Sequence, residues 1–192
     1  MSFFASAKDP ALRPARRAFL GNTGLVLSGT AIALLAGKEA LAKTGGGATE
    51  ADVRILNAAL GSELEAIAAY QVGAESGLLQ KPVLDLAVSF QSHHKLHAAA
   101  LASTIKKLGG KPVEAKAKYA FPTEKLKSQN DVLNFAATLE KGAVSAYLGA
   151  VPEFGDRTLA KVAASILGDE AMHWAVLRQA VGEVAVPGAF VG

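Results

Sequence analysis

ILGDEAMHWAVL, residues 166–177, sets a Glu-x-x-His inside an apolar stripe. On an α-helix each residue turns the chain by about 100°, so positions three and four apart share a face. Extended backwards, the stripe runs Leu159, Ala163, Ile166, Glu170, His173, Leu177. A carboxylate and an imidazole therefore occupy positions that a soluble helix keeps for its core. Held side by side on one inward face, the two form a metal-binding unit of helical bundles.

Three more segments repeat the pattern. Residues 50 to about 79 carry the stripe Leu56, Leu60, Glu63, Ile67, Tyr70, and Lys81-Pro82 is the expected break after it. Residues 83–108 carry Ala87, Phe90, His94, His97, Leu101, Ile105, and stop at Gly109-Gly110 before Pro112. A longer connection, residues 111–127, leads to Ser128, a plausible N-cap. The third helix follows to about Val151 with Leu133, Ala136, Glu140, Val144 (or Ala143), Tyr147 and Val151 inward, and the fourth spans about 157–181. No strand pattern competes. The expected fold is all-α: an antiparallel four-helix bundle of 50–182 with a long crossover between the second and third helices, and a tail at 183–192. Four helices of roughly 24 residues would each be about 36 Å long, the matched lengths a bundle needs.

Each stripe thus buries at least one carboxylate or imidazole near its middle. An unpaired buried ion costs several kcal/mol, whereas a whole domain is stable by only about 5–15 kcal/mol. The stripes contain no Lys or Arg to neutralise Glu63, Glu140 and Glu170. A metal is the expected counter-charge, with shared protons or solvent as the alternatives. All four histidines (His93, His94, His97, His173) fall on the second and fourth helices. Six residues are the expected metal ligands: Glu63, His94, His97, Glu140, Glu170 and His173. His93, about 100° from His94, is read as a surface residue.

Composition narrows the chemistry. Aromatics are only 6% of the 192 residues, which disfavours a β-sandwich. The chain has no cysteine, so disulfides, iron–sulfur clusters and thiol catalysis are excluded, and carboxylate and imidazole must hold any metal. The formal charge of +3 is wholly accounted for by residues 1–42, which hold five cations and two anions. The remainder is neutral, and no basic field is left to attract nucleic acid.

Residues 1–42 have the layout of an export signal. Arg16-Arg17 followed by Phe19-Leu20 resembles the twin-arginine signal, an uncharged stretch spans Gly21 to Gly37, and Ala40-Leu41-Ala42 is a small-x-small cleavage pattern. The stretch is short and only moderately apolar for a stable membrane span, so no span is expected after cleavage. A Gly-rich linker, residues 43–49, separates the signal from the bundle. Periplasm or cell envelope is the expected location.

The helical segments resemble the ferritin-like superfamily over essentially all of residues 50–182. Leu56 to Glu63, with Tyr70 seven residues on, looks like the first helix of bacterioferritins. Glu140 with Tyr147 repeats that spacing, as in rubrerythrin-like proteins. Ile166 to His173 is similar to the last ligand helix, and His97 to Pro112 to the end of the second. The resemblance implies Glu63 and Glu140 as terminal ligands, Glu170 as a bridge, and His97 and His173 as one ligand to each metal. It departs at His94, which stands where a second bridging glutamate belongs. Gln91 offers another register, without charge.

With three glutamates, two divalent metals leave one net positive charge, so two ions or one remain open. The resemblance implies iron or manganese, reacting with oxygen or peroxide as ferroxidase, peroxidase or catalase. The alternative is a non-catalytic metal-binding or stress-related envelope protein with a modified site. A homodimer is compatible with either, whereas the tail is too short to supply the fifth helix of mineral-storing shells.

Overall fold

The computed structural model describes residues 48–191. The signal expected at 1–42, and residues 43–47 of the linker, lie outside the described residues. Four helices follow in order: α1 (Glu50–Glu75), α2 (Lys81–Lys107), α3 (Gln129–Ala150) and α4 (Arg157–Ala180). Two 3₁₀ turns, Thr123–Lys125 and Val151–Glu153, punctuate the connections. No strand occurs among the described residues. The architecture is the expected four-helix bundle, with the long connection between α2 and α3.

One boundary differs from the sequence reading. Lys81-Pro82 does not end a helix but opens α2, where proline's missing N–H is harmless. The break comes earlier: α1 stops at Glu75, and Gly77 takes a left-handed φ of 71°. The far end of α2 closes as expected. Gly109, at φ 78°, lets its own N–H reach Lys106 O at 3.0 Å, and Gly110 N–H reaches Ile105 O at 2.9 Å. That pair of bonds is a Schellman cap, which gives the last carbonyls of α2 their partners. Ser128 caps α3 as its sequence position suggests, accepting from Asp131 N–H at 3.2 Å.

α1 packs chiefly on α2 and α3 chiefly on α4, while α1 also meets α3. The crossover is pinned to α1 by Asn57, whose amide donates to Lys111 O at 3.2 Å and accepts from Val113 N–H at 2.7 Å. The core falls into two apolar clusters. One gathers Leu56, Leu60, Leu101, Ile105, Tyr147 and Ile166, and the other Tyr70, Phe90, Leu133 and Leu177. Apart from Asp52 at the start of α1, the buried polar residues of each helix fall between these clusters, so a charged layer is sealed at both ends by hydrocarbon. Among the described residues no helix is long and apolar enough to cross a membrane.

The start of α1 is fixed by a buried acid that carries no metal-site role. Asp52 is fully buried and accepts from Thr49 N–H at 2.7 Å, while Thr49 Oγ1 accepts from Asp52 N–H at 3.2 Å. This is a capping box. The second carboxylate oxygen accepts from Gly155 N–H at 2.7 Å, tying α1 to the α3–α4 connection 103 residues away. Replacing Asp52 by alanine removes the carboxylate half of the capping box and leaves two backbone donors, Thr49 N–H and Gly155 N–H, short of a partner. Asp52→Ala is expected to destabilise the domain by about 2–3 kcal/mol in denaturant titration. Asp52→Asn, which keeps one acceptor oxygen, should lose less.

Candidate metal centre

All six side chains singled out in the sequence meet in one layer. Glu63 comes from α1, His94 and His97 from α2, Glu140 from α3, and Glu170 and His173 from α4. Five of them are at most 2% exposed, and the side chain of His97 is 16% exposed. His94 lies between the two outer glutamates, with Nδ1 2.8 Å from Glu63 Oε2 and Nε2 3.2 Å from Glu140 Oε1. Glu170 sits across from it, with Oε1 3.2 Å from His97 Nδ1 and Oε2 3.3 Å from His173 Nδ1.

The layer divides into two overlapping groups: Glu63, His94, His97, Glu170, and His94, Glu140, Glu170, His173. Within each, one donor atom per residue lies within 4.8 Å of every other. His94 and Glu170 belong to both groups and so stand where the two overlap. Among the described residues, four buried side-chain atoms have no hydrogen-bond partner: Nδ1 of His97, Nδ1 of His173, and both carboxylate oxygens of Glu170. The two nitrogens approach Glu170 closely enough to feel its charge but are misaligned for a hydrogen bond. Orphaned buried polar atoms cost about 1–3 kcal/mol each. These are nitrogen and oxygen donors converging on one space, so the residues present fit a divalent metal.

Two tyrosines brace the layer crosswise. Tyr147 on α3 donates to Glu63 Oε1 at 2.6 Å, and Tyr70 on α1 donates to Glu140 Oε1. Each glutamate is thus held from the opposite helix rather than by the tyrosine seven residues along its own. Burial, and then the charges of Glu140 or Glu63, push both phenols well above their ordinary range, so they stay protonated as donors.

Protons balance the layer when metal does not. Burial alone would lower the pKa of His94, but hydrogen bonds to Glu140 and Glu63 outweigh it and raise the value to about 11. His97 and His173 are likewise lowered by burial and raised further by their facing glutamates, each to about 9. Burial would raise Glu140, yet His173 and His94 hold it down to about 2.

Beyond these six side chains, the layer continues toward the surface through His93 and Asp169. His93 faces the surface as its helix position suggests, with its side chain 41% exposed, but it is partnered: its Nδ1 lies 2.9 Å from His173 Nε2 and 3.1 Å from Asp169 Oδ2. Asp169, which the stripes did not single out, has Oδ2 3.4 Å from Nε2 of both His97 and His173. When either ring is neutral, that contact favours the tautomer with the proton on Nε2, which leaves the Nδ1 lone pair as the donor on the inner side. Phe90 stacks on the His173 ring at a centroid distance of 4.0 Å and fixes its plane. Gln91 is outside the site, donating instead to Ile67 O and Gln71 Oε1, both at 2.9 Å.

Comparison with known proteins agrees with this fold. A conserved hypothetical protein from Mycobacterium tuberculosis, rv2844, shares the fold with a TM-score of 0.63 at 21% identity, over 72% of this chain and 96% of that one. No curated protein sequence matches. The family model described as "Ferritin-like domain" matches residues 51–183. With four helices bearing a buried His/Glu layer at the centre of that match, the chain belongs to the ferritin-like domain family.

Proposed function

We propose that the His/Glu layer is a carboxylate–histidine metal centre for iron or manganese, reactive toward oxygen or peroxide. The observation that carries this reading is the convergence of unpartnered buried atoms, Nδ1 of His97 and His173 and both oxygens of Glu170, on one space. Metal bound there would supply redox chemistry toward a small oxidant. Glu63 with His97, and Glu140 with His173, would hold the two halves, and Glu170 would serve both. The tyrosines keep the outer glutamates aimed, and the two apolar clusters keep bulk water from the layer. Delivery to the periplasm or envelope through the twin-arginine-type sequence at 1–42 belongs to the same proposal.

A second reading, one metal rather than two, is favoured by His94 itself. A neutral imidazole has a single lone pair, whereas a carboxylate in that position could serve both halves. With Nδ1–H donating to Glu63, only Nε2 is left, and it faces Glu140. The half formed by Glu140, Glu170, His173 and His94 then has four donors, and the other half has Glu63, His97 and a share of Glu170.

Elemental analysis of the purified full chain separates the readings. Near two equivalents of iron or manganese, lost in Glu170→Ala, is the outcome expected of a dinuclear centre. One equivalent supports the single-metal reading, and no bound metal in the wild type sinks both.

Metal here replaces protons, which gives a pH signature. The folded pKa values of His94 (about 11), His97 and His173 (each about 9) lie above the ordinary 6.5. Their stabilising effect is complete below pH 6.5 and is lost as pH rises through 9 toward 11. Glu140, lowered from 4.5 to about 2, contributes above pH 4.5 and loses that contribution as pH falls through 2. Metal-free protein is therefore expected to melt highest between pH 4.5 and 6.5, with Tm falling from 6.5 to 9. Added metal should stabilise more at pH 9 than at pH 6.5, in thermal melts with and without chelator. A Tm gain from metal that does not change with pH would contradict proton displacement.

A further inference from the structure

His93 and Asp169 lie on the solvent side of His173, in the groove between α2 and α4. Three donor atoms meet there: His93 Nδ1, Asp169 Oδ2 and His173 Nε2, separated by 2.9, 3.1 and 3.4 Å. Side-chain exposure falls from 41% at His93 to 22% at Asp169 and 2% at His173, so the trio runs from solvent into the core. A cation about 2.0–2.2 Å from each atom fits above such a triangle. Two imidazoles and one carboxylate, with further positions open to water, suit a first-row divalent cation.

We infer that His93, Asp169 and the outer nitrogen of His173 form a second, solvent-facing divalent-cation site that feeds the buried centre. The feeding role rests on reading the buried layer as a metal site, whereas binding at the outer trio does not. His173 is the link, because its Nε2 faces the trio while its Nδ1 faces Glu140 and Glu170. One lone pair on a neutral ring serves one cation at a time. A cation held outside requires the proton on Nδ1. A cation held inside would require the proton on Nε2 instead, where Asp169 and His93 accept its hydrogen bond, so the ring exchanges its Nδ1 proton for one at Nε2 between the two arrangements. No electron is transferred.

The test is titration of the metal-free full chain with Co²⁺, followed by visible absorption and calorimetry, with circular dichroism confirming that each variant folds. Glu170→Ala, which disables the buried centre, is expected to keep one Co²⁺ equivalent under titration, held at the exposed trio too weakly to survive purification. Adding His93→Ala should weaken that binding by roughly tenfold or more, and His93→Asp in its place should restore most of it. With Glu170 present, His93→Ala should slow loading of the buried centre by roughly tenfold in stopped-flow mixing. If Glu170→Ala binds no Co²⁺, or if His93→Ala changes neither affinity nor loading rate, the outer site is overturned while metal held by the wild type still supports the buried centre. If the wild type binds no Co²⁺ at all, both readings fall.

Discussion

Three glutamates and three histidines share one layer of a helical bundle with hydrocarbon above and below, and the rest of the structure answers to the charge they carry. Three carboxylates alone would repel one another in a medium that screens poorly. Protonated imidazoles reduce that repulsion, which is why His94, His97 and His173 bind protons so much more tightly than free histidine. The neutralisation is incomplete in its geometry, however. Protons on His94 find good acceptors, whereas Glu170 and the Nδ1 atoms of His97 and His173 are close but misaligned. A layer optimised for protons would align those bonds, and spacing suited to metal leaves them open.

Helix direction gives the layer its order. On α1, Tyr70 lies seven residues beyond Glu63, and on α3, Tyr147 lies seven beyond Glu140. Seven residues is close to two helical turns, so each pair shares a face. Running the helices antiparallel sets each tyrosine against the other helix's glutamate, and both hydroxyls donate across the gap. The same two bonds therefore fix the axial register of α1 on α3 and the aim of two carboxylates. Asp52 secures that register from one end by gripping Gly155, beyond α3.

Much of this was legible in the sequence because helical period and burial are tightly coupled. The apolar stripes located the four helices and the six layer residues, since a polar side chain at a stripe position has nowhere else to point. What escaped depends on neighbours that period alone does not specify. His93 lies about 100° round the helix from His94, a direction that is solvent on an isolated helix and a groove once α4 packs beside α2. Asp169 was hidden in the same way, being off its stripe yet within reach of two histidines on different helices. Asp52 reads as an ordinary first-turn acid until the chain brings Gly155 to it. Lys81-Pro82 misled because proline marks either the end of one helix or the first turn of the next, and Gly77 decides between them.

His94 makes the two halves of the layer inequivalent. A carboxylate at that position could give one oxygen to each side and keep the halves alike. An imidazole spans the same gap with two nitrogens, but only one can offer a lone pair while the ring is neutral. Its Nδ1 is nearer to Glu63 than its Nε2 is to Glu140, 2.8 against 3.2 Å, so the proton belongs on the Glu63 side. The lone pair then belongs to the half containing Glu140 and His173, which is also the half against which Phe90 stacks and His93 closes from outside, while Asp169 reaches the histidines of both halves. The better-equipped half of the layer is therefore the one with the more elaborate outer support. An asymmetry created by one residue on α2 thus extends from the centre of the bundle to its surface.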